Sequence, residues 1–140
     1  MTSFIPSNEL SVEKINSMLI SAFIKSEIDT DGDIVIRKES QVLLLRLYSE
    51  DKIIRLFSVY SINNDKSTED KENSLANKLN VASRTIRFSI VKQENSTALF
   101  SDYNILYDHG IYFEDIIRSI DNFSEVRALL VSCDDGDLLL

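Results

Sequence analysis

Apolar residues at Val12, Ile15, Met18, Leu19, Ala22 and Phe23 recur at helical spacing, which predicts an amphipathic helix with one buried stripe. Ser11 is a suitable N-cap, with Leu10 and Ile15 placed as a hydrophobic staple, and the helix is expected to end near Lys25. The turn-forming run Asp29, Thr30, Asp31, Gly32, Asp33 then leads into the β-branched Ile34, Val35 and Ile36. Further strands are expected at about Gln41 to Tyr48 and Ile53 to Ser61, joined through Ser49, Glu50 and Asp51 to make a meander. Val42, Leu43, Leu44 and Leu45 are apolar on both faces, which points to a central strand, while Arg46 and Arg55 mark its wetter side.

From Asn63 to Asn73 the chain is almost wholly polar. This loop is expected to feed a helix capped near Ser67, with Glu69 and Asp70 in its first turn and Leu75, Ala76 and Leu79 on its buried side. Ile86, Phe88 and Ile90 then alternate with Thr85, Arg87 and Ser89, the clearest half-buried strand in the chain. A hairpin turn at Lys92 to Ser96 returns the chain along Ala98 to Leu106, and Gly110 breaks that strand. One long helix is expected from about Tyr112, with Phe113, Ile116, Ile117, Ile120, Phe123, Val126 and Leu130 on its buried stripe. The tail, DDGDLLL, ends in Leu138, Leu139 and Leu140, which either fray or pack on a second copy or a client.

The pattern amounts to an α+β fold with a five-stranded, mainly antiparallel sheet in the order α-β-β-β-α-β-β-α. At 140 residues, 44% hydrophobic and 27% charged, a single domain over residues 1–140 with one core is expected. The net charge of −8 argues against nucleic acid and anionic membrane surfaces as partners, because phosphate affinity comes from Lys and Arg displacing counterions. It favours basic protein partners instead. MTSFIPSNEL does not read as a signal peptide, no apolar run approaches about 18 residues, and Cys133 is the one cysteine. These features together suggest a cytoplasmic protein.

The segments DGDIVIR (Asp31 to Arg37), LLLRLY (Leu43 to Tyr48) and IIRLFSVY (Ile53 to Tyr60) carry a resemblance, continued by the helix end at Asn77 to Leu79 before TIRFSI and by GIYFEDIIRSIDNF from Gly110 to Phe123. Through them most of the chain resembles the YbjN family, whose fold is similar to the type III secretion chaperones. The turn KQENST departs from the small and glycine residues common there. The resemblance implies a helix-and-sheet binding module with no catalytic residues to carry over.

Asp29, Asp31 and Asp33 around Gly32 suggest a calcium loop, but the EF-hand spacing would need glycine and glutamate where Ile34 and Ser40 stand. A polar turn is the expectation, and no metal site or cofactor is assigned. His109 between Asp108 and Gly110 reads as turn chemistry, not as a general base. Cys133 is followed by Asp134 and Asp135, which disfavour a thiolate. Three glycines, Gly32, Gly110 and Gly136, cannot build a phosphate loop. The chain is therefore expected not to be an enzyme.

A binding protein draws attention instead to Arg46, Tyr48, Arg55, Phe57, Tyr60 and Arg87, residue types that dominate interface hot spots. They are expected to form an exposed aromatic and arginine surface on the sheet. The function read from these features is a protein-binding module holding a partner by its sheet face or edge, with a homodimer as one arrangement. The alternative is an immunity protein that blocks the active site of a basic toxin.

Overall fold

The computed structural model describes residues 3–139. Among them the elements run β1 (Phe4–Ile5), a 3-10 turn (Ser7–Glu9), α1 (Val12–Ser21), β2 (Lys25–Ile28), β3 (Ile34–Lys38), β4 (Gln41–Tyr48) and β5 (Ile53–Ser61). They continue with α2 (Glu69–Ala82), β6 (Arg87–Lys92), β7 (Thr97–Leu106), β8 (Ile111–Tyr112), α3 (Phe113–Asn122), a second 3-10 turn (Phe123–Glu125) and α4 (Val126–Cys133). The main sheet has six strands in the order β2-β3-β4-β5-β7-β6, and β1 pairs with β8 in a separate two-stranded sheet. The α+β class and the antiparallel pairing are as expected.

The strand count is larger than five. β2 reads KSEI, four residues of which only Ser26 is partly covered, so it carries no alternating apolar signal that would set its first residue apart from the preceding helix. That helix stops at Ser21 instead of near Lys25: Phe23 takes a positive φ of 64°, and its N–H bonds back to the Ile20 carbonyl. A left-handed residue reverses the chain and lets it leave as a strand. β1 and β8 are two residues each and leave no periodic signature.

The chain divides into two compact units, one of residues 1–57 and 104–122 and the other of residues 58–103 and 123–140. In the first, register pairs Ile34 with Leu45, Ile36 with Leu43, Leu45 with Leu56 and Leu47 with Ile54, so these residues share one face. Ile34, Ile36, Leu45, Ile54 and Leu56 are fully buried there, together with Ile15 and Leu19 of α1 and Ile116 and Ile120 of α3. Each such side chain contributes about 1.5–3 kcal/mol through the water it sheds. The Ser11 hydroxyl accepts from the Lys14 N–H at 3.1 Å, which caps α1. The opposite face, with Val35, Val42, Leu44, Arg46, Ile53 and Arg55, is only half-covered or exposed.

In the second unit α2 lays Leu75 and Leu79 into a core with Phe88, Leu99, Val126 and Leu130. Its N-cap is Thr68, one residue beyond the expected Ser67, which instead donates to the Glu72 carboxylate at 2.6 Å. Glu72 is 5% exposed, a buried acid in a stretch that composition marks as solvent-facing. β6 is the edge strand, and the Asn80 side chain both accepts from the Phe88 N–H (2.8 Å) and donates to the Phe88 carbonyl (2.9 Å), closing part of that edge.

The expected long helix from Tyr112 is broken. α3 ends at Asn122, a 3-10 turn holds Phe123–Glu125, and α4 begins at Val126, at the point where the chain passes from one unit to the other. The tighter 3-10 spacing eclipses Phe123 and Val126, and both are buried. The tail is packed, not frayed. Leu138 is 1% exposed, Leu139 bridges Ile62, and the Asp134 carboxylate accepts from the N–H groups of Leu138 and Leu139 at 2.8 and 3.0 Å. Leu140 lies outside the described residues.

Candidate functional site

The DTDGD turn builds the support of the site. The Asp29 carboxylate accepts from the N–H groups of Asp31 (2.9 Å) and Asp33 (3.0 Å), and Gly32 supplies a φ of 83°, a conformation that side chains disfavour. The Asp29 carboxylate is thus used within the turn and the Asp33 carboxylate in an ion pair. No group of three or more His, Cys, Asp or Glu disposed around a metal position occurs among the described residues.

The turn delivers Asp33 to the half-open sheet face, where its side chain is 7% exposed against 43% for Arg46. Arg46 donates from Nε to Oδ1 at 2.9 Å and from Nη2 to Oδ2 at 2.7 Å, the bidentate geometry that a planar guanidinium and a carboxylate favour. Arg46 stands directly opposite Arg55 in the register, and Leu44 opposite Phe57. Like charges facing each other across strands repel. The repulsion is offset by Asp33 and by the Phe57 ring, which lies 5.2 Å from the Arg46 guanidinium and 5.7 Å from that of Arg55.

Tyr48, at the end of β4, completes the cluster. Hydrogen bonding by the Arg55 guanidinium, then by Arg46, stabilises its phenolate and lowers its pKa against the opposing effect of burial. Arg46 is held above its ordinary pKa chiefly by its hydrogen bonds to Asp33 and then Tyr48. Arg46, Tyr48, Arg55 and Phe57 are therefore brought together. Phe57, however, is 7% exposed: the expectation that it presents its own surface is corrected, since it serves as the platform on which the guanidiniums rest.

Tyr60 and Arg87 belong to the second unit. Ser58 donates to the Tyr60 hydroxyl at 3.3 Å, which places Tyr60 on the Ser58 side of β5, opposite to Phe57 by strand alternation. Arg87 is held by Asp102 on its own hairpin, Nε to Oδ1 at 3.0 Å and Nη2 to Oδ2 at 2.7 Å. Asp102 is 3% exposed, and the pair repeats the Asp33–Arg46 device. The sequence marks Asp33 only as a turn residue and calcium-loop candidate, not as an arginine partner, and does not mark Asp102. The signal available for each was a single carboxylate on a strand or at its mouth, one residue from buried positions, with an arginine on the neighbouring strand.

The remaining chemistry is dispersed. His109 is 96% exposed and its Nε2 lies 3.6 Å from the Asp108 carboxylate. Cys133 is half-buried near Ser132, whose Oγ is 3.7 Å from its sulfur. Burial raises the pKa of Tyr107. Among the described residues no helix is long and apolar enough to cross a membrane.

No family model matches the chain, and neither does any curated protein. Among solved structures it is similar to YbjN from E. coli, a proposed transcription regulator. The likeness has 12% sequence identity and a TM-score of 0.77, and it covers 94% of this chain and 96% of that one. The fold of this chain is the YbjN fold.

Proposed function

We propose that the chain is a non-catalytic protein-binding module that holds a partner segment on the open sheet face of its first unit. The observation that carries this reading is the Asp33–Arg46–Phe57–Arg55–Tyr48 cluster. Its guanidiniums are fixed in place before any partner arrives, by a bidentate carboxylate and an aromatic platform. Preorganised arginines lose little conformational entropy on binding and recognise carboxylates with directional hydrogen bonds. Beside them Val35, Val42 and Leu44 offer apolar surface along the same face.

The local charge differs in sign from the whole chain. Lys25, Arg37, Arg46 and Arg55 outnumber Glu27 and Asp33 on this face, so the reading favours an acidic segment with apolar side chains between its carboxylates. A basic toxin would meet like charge here. The YbjN fold supports a binding role by analogy only. The one cysteine suits a reducing compartment, and we place the protein in the cytoplasm.

A photo-crosslinking residue at Val42, on the open face, tests the reading against one at Val131, which is 79% exposed on α4. A discrete adduct formed in host lysate from position 42 and not from position 131 is expected. Equal labelling from both positions, or none from position 42, overturns it.

A further inference from the structure

The strand β2 ends the sheet, and its pairing with β3 fixes which of its backbone groups point outward. Asp29 donates its N–H to the Asp33 carbonyl at 2.8 Å, and these residues stand opposite each other in the register that pairs Glu27 with Val35 and Lys25 with Arg37. Antiparallel ladders alternate hydrogen-bonded and non-hydrogen-bonded pairs. The odd-numbered residues of β2 therefore bond to β3, and Ser26 and Ile28 direct their N–H and C=O groups away from the sheet. The Ser26 hydroxyl donates to the Asn16 side chain at 2.7 Å, which steadies the strand from α1. Lys25, Glu27 and Ile28 are exposed. Ile20, 54% exposed, and Phe23, 98% exposed, flank an open groove of about 520 Å³ beside the edge. An uncovered edge of this kind is a template for another strand.

We propose that the occupant is β2 of a second copy of this chain, paired antiparallel about a twofold axis at Ser26. The argument is charge complementarity in the only registers that symmetry allows. A twofold axis normal to the sheet keeps each side chain on its own face, so the axis must pass through a residue paired with itself. Centred on Lys25 it opposes two lysines, centred on Glu27 it opposes two glutamates, and centred on Ile28 it sets each Glu27 against the other copy's Asp29. Centred on Ser26 it sets each Lys25 opposite the other copy's Glu27, twice, and lets the outward groups of the two Ser26 residues bond to each other. Among the described residues Lys25 has no acidic partner of its own, and Glu27 meets only the exposed Arg37 at 3.7 Å. Four residues of strand and a few flanking apolar side chains make a small interface, so the dimer is weak.

Sedimentation equilibrium of the full chain at low salt, up to about 0.5 mM, measures it. A monomer–dimer equilibrium is expected. Lys25→Glu and Glu27→Lys should each weaken it by about ten- to thirtyfold, since each turns two attractions into two repulsions. The double variant Lys25→Glu/Glu27→Lys restores complementarity and should return the constant to within about threefold of wild type. A chain that stays monomeric throughout, or a dimer unmoved by the single reversals or not restored by the double variant, overturns the proposal.

Discussion

Replacing Asp33 by Asn removes the charge that neutralises Arg46 while preserving shape and the turn. Hydrogen bonds to charged groups contribute about 1.5–3 kcal/mol, but Arg46 is 43% exposed, so solvent screens part of the pair and the loss is about 1–2 kcal/mol. For a chain of this length that lowers Tm by about 3–8 °C. Chemical denaturation followed by circular dichroism gives the free energy, and a double-mutant cycle with Arg46→Met isolates the pair, with a coupling of about 1 kcal/mol expected. Because Arg55 faces Arg46 across the strands, Asp33→Asn removes the carboxylate that offsets the Arg46 charge beside a second guanidinium, and Arg55→Gln should recover part of the loss. A cost below about 0.5 kcal/mol, or strict additivity with Arg46→Met, refutes the claim that Asp33 organises the cluster.

In an absorbance titration of the five tyrosines, Tyr48 should ionise below the ordinary value and Tyr107 above it. Tyr48→Phe should delete the early step. Tyr48 adds stability that is absent below its folded pKa and complete above about pH 10, while Tyr107, protonated longer in the folded chain, costs stability as pH rises past about 10. Gly110→Ala should destabilise by more than about 2 kcal/mol, because φ is 87° and a Cβ would press into the Phe4 ring and the Ile5 carbonyl. Gly32→Ala meets nothing within 4 Å and should cost about 1 kcal/mol from φ alone, so comparable melting temperatures for the two would contradict the packing described around Phe4. Asn80→Ala should lose about 1–3 kcal/mol and raise self-association through the freed β6 edge, read by thermal melts and light scattering.

The parts of the fold legible in the sequence are those where one face is buried and the other wet. Gln41–Tyr48 and Ile53–Ser61 were predicted to the residue because their side chains alternate between a closed core and a half-open face. β2 leaves no mark in the sequence because its stability comes from backbone pairing to β3, which composition does not record. The break at Phe123–Glu125 leaves none because a stripe of Ile116, Ile120, Phe123, Val126 and Leu130 fits a continuous helix almost as well as a helix with one tightened turn. Four of the six candidate site residues converge because Arg46, Tyr48, Arg55 and Phe57 share strand parity in one register. Tyr60 has the opposite parity to Phe57 on the same strand, a distinction that counting along β5 could have made. The ion pairs of Asp33 and Asp102 are not legible in the sequence, because a buried carboxylate is recognised only once its arginine is known to sit across the strand.

The most direct test of the account is the affinity of the partner crosslinked at position 42 for wild type and for Arg55→Glu, with thermal melts confirming that the variant is folded. The account predicts at least a tenfold loss on Arg55→Glu, with Arg87→Glu close to wild type. An unchanged affinity for Arg55→Glu would place the binding surface elsewhere and contradict the assignment of the open sheet face.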